Sequence, residues 1–334
     1  MFDTLRTLCT LSSVSGDEKT VRDCIIEEIK DYCEYKVDAL GNILFEKKGK
    51  KRTANRIMLD AHMDEVGIII TDIEENGFLR FNTVGGIEKE CLLFSRVIFK
   101  NKTAGVIGNR PIHLLSAEEA KKLPLVDNMY IDIGAKDKES ALKRVAPGDT
   151  AVLCGDYIES GDMILSKALD DRVGCAVLIN LIRNYDEYDF CGSFSTMEEV
   201  GCIGARTAAF GLSPDFALVL EGTTASDIGD TPPSKEICCV GEGVAVSFMD
   251  RGTLYDRELY SIAINDKNIK KQTKRGTTGA NNSAGIHLSK EGIRTLALSV
   301  PTRYIHSASS VCSKEDIISM YKAAEYMISA INKL

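Results

Sequence analysis

Between Gly16 and Cys33 the apolar residues Val21, Cys24, Ile25 and Ile29 recur at helical spacing. Ser15, followed by Asp17 and Glu18, supplies the start, because a hydroxyl caps free N–H groups and acids suit the positive end of the helix dipole. The pattern predicts an amphipathic opening helix. Short runs follow: KVDAL, NILFEKK and RIMLDAHM. The last is apolar until it ends in polar residues, as a buried strand does when it delivers side chains at its carboxyl end.

From Val66 to about Asp162 the period changes. IIITDIEENGFLRFNTVGG predicts two strands joined at Asn76-Gly77, and VIFKNKTAGVIGNRP, MYIDIGA and TAVLCGDY predict further short strands, with one short helix at SAEEAKKL. Afterwards strands and helices alternate: a helix from Asp171 to Asn184, the strand FCGSFSTM, a helix from Cys202 to Phe210, the strands FALVLEG and RTLALSV, and a closing helix from Lys314 to Asn332. Alternation of that kind predicts an α/β fold with a largely parallel sheet covered by helices. The expected division is a discontinuous α/β domain, residues 1–67 and 162–334, carrying an inserted small β-barrel domain over residues 68–161.

Composition narrows the function classes. The 334 residues are 44% hydrophobic and 27% charged, enough to bury a large core. Lys plus Arg number 41 against 49 Asp plus Glu, a formal net charge of −8, which repels phosphate backbones and argues against nucleic acid as a partner. The opening segment lacks an apolar signal core and no run reaches membrane-spanning length, so no membrane partner is expected. The eleven cysteines are scattered, with no CxxC pair, and read as reduced thiols of a cytoplasmic protein.

Ligands of an open α/β sheet bind beyond the carboxyl ends of its strands, and the candidate chemistry falls there. IMLDAHMDE ends with His62 and Asp64, SFSTMEE with Glu198 and Glu199, ALVLEG with Glu221, and LALSVPTRYIH runs on to His306; SKALDD sets Asp170 and Asp171 before a helix. Singly each has an ordinary reading as a surface pair, a helix-turn acid or a loop residue. Together, five segments each place a cation-binding residue type beside an apolar run. His62, Asp170, Glu199, Glu221 and His306 offer three carboxylates, so two divalent cations and one hydroxide would balance the charge. If Asp170 bridges, each cation keeps three protein ligands and an open position, the catalytic pattern. Nitrogen and oxygen donors without thiolate suit zinc or cobalt, with manganese also fitting. Asp64 is expected to accept the second ring N–H of His62, and Glu198 to serve as general base between a metal-bridging water and the leaving amine.

The segments AHMDEVG, ALDDRVG, TMEEVGCIGA, LVLEGTTASD and PTRYIHS resemble, in order, the motif series of the TET-type metallo-aminopeptidases, a family of glutamyl and deblocking aminopeptidases sometimes labelled endoglucanases. GVIGNRPIHLL and YIDIGAKDKE add matches within the insertion. The resemblance implies a zinc-exopeptidase-like fold, one metal on His62, Asp170 and Glu221, the other on Asp170, Glu199 and His306, and Glu198 as base. It implies a PDZ-like insertion that dimerises the chain, and dimers that build a homo-oligomeric tetrahedral dodecamer acting on peptides. Two departures stand out: Glu221 lies where Asp is common, and Asn282-Ser283 lies where the family has Thr-Asp, which is expected to remove a negative charge close to the substrate. Competing readings are a metal-dependent deacylase, dipeptidase or glycosidase, and a non-catalytic metal-stabilised scaffold.

Overall fold

The computed structural model describes residues 1–118 and 121–334. Helices Phe2–Thr10 and Lys19–Ile29 precede strands β1 (Glu34–Val37), β2 (Ile43–Lys47) and β3 (Ile57–His62). Then come β4 (Gly67–Ile73), β5 (Leu79–Val84), β6 (Arg96–Phe99), β7 (Ala104–Gly108), β8 (Tyr130–Asp132) and β9 (Thr150–Leu153). Strands β10 (Ile158–Ser160) and β11 (Met163–Ser166) lead into helix Leu169–Asn184, then β12 (Phe190–Ser195), helix Ile203–Leu212 and β13 (Phe216–Thr224). The chain closes with β14 (Val244–Ser247), helix Arg257–Asn265, β15 (Lys271–Lys274), the turn of helix Ser283–Ile286, β16 (Arg294–Thr302), β17 (Ser310–Ser313) and helix Lys314–Ile331. The short helix expected at SAEEAKKL includes residues 119 and 120, which lie outside the described residues.

The fold is mixed α/β. Eight strands form one sheet in the order β1-β2-β12-β3-β13-β16-β14-β15. Its centre, β12-β3-β13-β16, is parallel, whereas the β1–β2, β2–β12 and β14–β16 pairings are antiparallel. The expectation of a largely parallel sheet thus describes the middle better than the margins. The reason at one margin is local: Asp38 Oδ1 accepts the N–H groups of Leu40, Gly41 and Asn42, making a tight turn that returns the chain as a hairpin. That turn also takes KVDAL out of strand after Val37.

Every residue of β3 and β12 is buried, as central strands covered on both faces must be. Helix Leu169–Asn184 packs on β3 and β13, with helices Phe2–Thr10, Lys19–Ile29 and Lys314–Ile331 around it, while Ile203–Leu212 packs on β12. Strands β4-β5-β8-β7-β6-β9 close into a separate barrel with its own core, including Ile68, Ile70, Phe81, Val97, Ile107 and Ile131. The β4–β5 connection turns at Asn76-Gly77, where Gly77 takes φ +87°, a conformation a side chain would strain. All eleven thiols are free. Among the described residues no helix is long and apolar enough to cross a membrane.

Candidate metal centre

The four parallel central strands bring their carboxyl ends to one edge, with Ser195 level with His62 and Glu221 level with Ser299. His62 ends β3, Glu221 projects from β13, Glu198 and Glu199 follow β12, and His306 lies in the loop after β16. Asp170 and Asp171 sit where helix Leu169–Asn184 begins, at non-helical backbone angles. All five expected ligands are therefore neighbours.

Asp170 stands at the centre. Its Oδ1 lies 3.3 Å from His62 Nε2 and its Oδ2 lies 3.5 Å from His306 Nε2. Glu221 Oε2 is 3.6 Å from His62 Nε2, and Glu199 Oε1 is 3.1 Å from His306 Nε2. Each imidazole donates from Nδ1 to a main-chain carbonyl: His62 to Asp64 at 3.1 Å and His306 to Gly86 at 2.7 Å. Those acceptors leave the Nε2 lone pair of each neutral ring directed at Asp170.

The Asp64 carboxylate lies beside the ring, its Oδ1 3.4 Å from His62 Nδ1, with the Asp64 main-chain oxygen nearer at 3.1 Å. The carboxylate also accepts the N–H groups of Glu198 at 3.0 Å and Glu199 at 3.1 Å, and the Ser15 hydroxyl at 2.6 Å. What Asp64 fixes is the backbone that carries the two glutamates.

Electrostatics in this pocket are dominated by burial and mutual contact. Burial works against a charge on His306, yet Asp170 and Glu199 lift its pKa to about 11; His62 likewise stands well above its ordinary value through Glu221, Asp170 and Asp64. Burial also opposes ionisation of Asp170, but the two imidazoles hold it below the usual carboxylate range. Glu198, buried and close to Glu199, is pushed up to about 8 although His62 opposes the shift. Burial raises Glu221 and Glu199 as well. Protons on these groups occupy the positions that cations would otherwise neutralise.

Two observations fit a divalent cation. Glu221 Oε1 is buried without a hydrogen-bond partner, a costly state that a cation relieves. Ligand atoms of His62, Asp170 and Glu199 also lie within 4.8 Å of one another, as do those of His62, Asp171 and Glu221. Asp171 is the less suitable donor of its set. Its Oδ2 accepts the His62 N–H at 3.2 Å and its Oδ1 the Gly174 N–H at 2.9 Å, so both oxygens are engaged. A cavity of about 180 Å³ opens on Asp170, Glu198, Glu199 and Glu221, with Lys274 and Asn281 in its wall.

A family model for M42 glutamyl aminopeptidase matches residues 41–322. The chain belongs to that family. M42 members are peptide hydrolases of the aminopeptidase kind, and this chain is one of them. A relative from Acetivibrio thermocellus, provisionally named an aminopeptidase, is 40% identical over 99% of this chain and 98% of its own. Among solved structures, the TET aminopeptidase of a marine sediment archaeon, a member of the Thaumarchaeota, superposes with a TM-score of 0.93 at 32% identity, covering 98% of this chain and 95% of that one. The TET1 peptidase of Pyrococcus horikoshii, which can assemble into a tetrahedron or a large octahedral shell, does so with a TM-score of 0.84 at 33% identity, covering 98% of each.

Several M42 residues here left no mark in the sequence reading. The Gly86 carbonyl is a backbone group. Glu65 is buried under the site with Lys167 Nζ 2.8 Å from both its oxygens and Arg172 NH2 3.2 Å from Oε1; only an acid in the AHMDEV motif signalled it. Asn282 is fully buried, donating to Asp60 Oδ2 and Ser195 Oγ at 2.8 Å each, while the adjacent Asn281 lines the cavity.

Proposed function

We propose that this chain releases residues one at a time from the amino terminus of short peptides, at a centre of two divalent cations bridged by Asp170. The reading rests on one observation: the two oxygens of Asp170 divide between the Nε2 atoms of His62 and His306, with Glu221 Oε2 3.6 Å from the first ring nitrogen and Glu199 Oε1 3.1 Å from the second. His62 and Glu221 would hold one cation and Glu199 and His306 the other, both shared through Asp170. Zinc or cobalt suits this donor set, and manganese also fits. Cations there supply Lewis acidity toward a scissile carbonyl and acidify water.

The chain's own residues do the rest. Glu198 takes the proton from the attacking water and returns it to the leaving amine, at a carboxylate whose backbone Asp64 holds. Glycoside hydrolysis would need two metal-free carboxylates flanking the bond, and Glu198 alone would remain. Eleven free thiols suit work in the reducing cytoplasm.

The inserted segment, residues 68–161, whose barrel strands run from Gly67 to Leu153, is read as the dimerising domain. Phe94, Val106, Leu125 and Leu142 expose apolar surface there. Self-assembly of such dimers into a tetrahedral dodecamer is the arrangement expected, in line with the tetrahedron that the TET1 peptidase can form and the dodecamer solved for it.

The test is hydrolysis of aminoacyl anilides, N-acylated peptides and β-glucans by chelated protein and by protein reconstituted with zinc, cobalt or manganese. Metal-restored cleavage confined to free-amine substrates is the expected result. Cleavage confined to acylated peptides or glucans would overturn the reading, and bound metal without any turnover would favour a scaffold.

A further inference from the structure

The polar residues before helix Lys19–Ile29 read in the sequence as a helix start, with Ser15 as its cap and Asp17 and Glu18 as acids of its first turn. Among the described residues no side chain caps that helix. All three are turned elsewhere. The Ser15 hydroxyl donates to Asp64 Oδ2 at 2.6 Å, and Asp17 pairs at 2.6 Å with Lys100, which follows β6 of the barrel. Glu18, which is buried, accepts the Met197 N–H at 3.1 Å and the Gly16 N–H at 2.7 Å, both on Oε1.

Met197 immediately precedes Glu198. Strand β12 ends at Ser195, so the next amides have left the ladder of the sheet and need other acceptors. Four in a row find side-chain oxygens: Thr196 on Asn42 Oδ1 at 2.9 Å, Met197 on Glu18 Oε1, Glu198 on Asp64 Oδ1 at 3.0 Å and Glu199 on Asp64 Oδ2 at 3.1 Å. Gly201 and Cys202 then donate back to the Glu198 carbonyl at 2.9 and 2.8 Å, which closes the turn. The backbone that carries Glu198 is thus shaped by side chains from three other segments of the chain.

Met197 is the demanding position in this turn. It takes φ +55°, in the left-handed region, which costs a residue with a side chain about 1 to 2 kcal/mol. Such a conformation persists only where the surroundings fix it. Here the Met197 carbonyl accepts the Ile203 N–H at 3.1 Å, and its N–H is held by Glu18. Without Glu18 the amide loses its acceptor, and the residue before Glu198 is free to relax.

We propose that Glu18 is a positioning residue for Glu198: by accepting the Met197 N–H it holds the left-handed turn that presents the Glu198 carboxyl to the cavity. This rests on the reading of Glu198 as general base. The bond is made to a main-chain amide, so an uncharged oxygen at the same place serves as well. A carboxylate drawn back by one methylene does not reach.

The test measures kcat, KM and metal content of metal-reconstituted full-length variants on aminoacyl anilides. Glu18→Asp and Glu18→Ala are expected to lose about 10- to 100-fold in kcat, because misplacing a reacting group by about 1 Å costs up to about 10²-fold, while KM and metal content stay within about twofold of wild type. Glu18→Gln, which keeps the acceptor, is expected to stay within about threefold in kcat. Asp17→Asn, on the same segment, is expected to change kcat by less than about twofold, its partner Lys100 being an exposed pair. Should Glu18→Ala not fold, Glu18→Asp carries the comparison. The assignment is overturned if Glu18→Asp keeps wild-type kcat, or if Glu18→Gln or Asp17→Asn loses as much as Glu18→Asp. A loss that falls on KM or on metal content overturns it too. Glu198→Gln, run alongside, separates the two readings: retained turnover removes the general base and this assignment with it, whereas an inactive Glu198→Gln beside an unaffected Glu18→Asp removes this assignment alone.

Discussion

His306 Nδ1 donates to the main-chain oxygen of Gly86 across 2.7 Å, so a loop of the α/β domain is held by backbone that follows the second strand of the barrel. A main-chain acceptor on Nδ1 fixes the tautomer and aims Nε2 at Asp170, the role an outer partner plays for a ligating imidazole. The inserted barrel thus does more than sit beside the site; it orients one of its histidines.

Displacing that carbonyl tests the link. A Cβ at Gly86 would meet His306 Nδ1 at 3.7 Å, an ordinary contact, so Gly86→Ala is expected to change metal affinity less than about threefold. At Gly85, φ is +79°, and a Cβ would come within 2.8 Å of Val66 Cγ1 and 3.2 Å of Glu199 Cβ. Gly85→Ala must therefore shift the backbone and is expected to weaken metal binding by about 10- to 100-fold. Calorimetric titration of both variants reads the difference; equal affinities would remove the carbonyl from the argument.

Metal binding is expected to release protons. His62 stands well above its ordinary pKa and His306 at about 11, so both rings are charged at neutral pH in the metal-free pocket. A cation must displace the Nε2 proton from each, at least two per chain with any carboxyl proton of the buried Glu221 added, and apparent affinity should rise with pH. Titration in buffers of different ionisation enthalpy measures the count. No release would mean that the histidines do not ligate.

Glu198→Gln separates binding from chemistry. The amide keeps the size of the side chain but cannot take a proton, so kcat is expected to fall by about 10²- to 10⁴-fold while both metals stay bound. Metal content by atomic emission, measured beside anilide turnover, makes the comparison. Turnover within a few-fold of wild type would assign the base elsewhere.

These residues differ in how far the sequence alone could reveal them. His62 was legible because RIMLDAHM is apolar until its end, which marks a buried strand and its terminal ligand. Asp170, Glu199, Glu221 and His306 were legible as a set, since five separate runs end in the same residue types. Gly86 contributes a carbonyl, which every residue owns. Lys274 lies in KQTK, a strand without apolar alternation whose place comes only from pairing with β14.

Beneath the site, Glu65 pairs with two buried cations, Lys167 and the fully buried Arg172, and also accepts the Ser13 N–H at 3.2 Å. Removing one member of such a cluster leaves charge uncompensated in the interior. Glu65→Gln is expected to cost about 3 to 5 kcal/mol, read as a lower urea midpoint at unchanged m-value. A loss under about 1 kcal/mol would show that water reaches the cluster.

Asp316 lies in the first turn of helix Lys314–Ile331 and is fully buried, accepting Gly241 N–H and Gly243 N–H at 2.7 Å each. Burial outweighs those two bonds and raises its pKa from 3.8 to about 6. The sign follows from which state holds the proton. Below about pH 4 both folded and unfolded chains are protonated there and the group is neutral to stability. Between about pH 4 and 6 the folded chain keeps a proton that the unfolded chain has lost, so stability falls as pH rises, and above about 6 the full cost, about 3 kcal/mol, is present. Asp316→Asn cannot titrate. It loses an acceptor and is less stable than wild type at pH 4, but its deficit should shrink by up to about 3 kcal/mol on moving to pH 7. Urea unfolding of metal-free protein at both pH values measures the deficit, and a deficit that is the same at both would place the proton on another group.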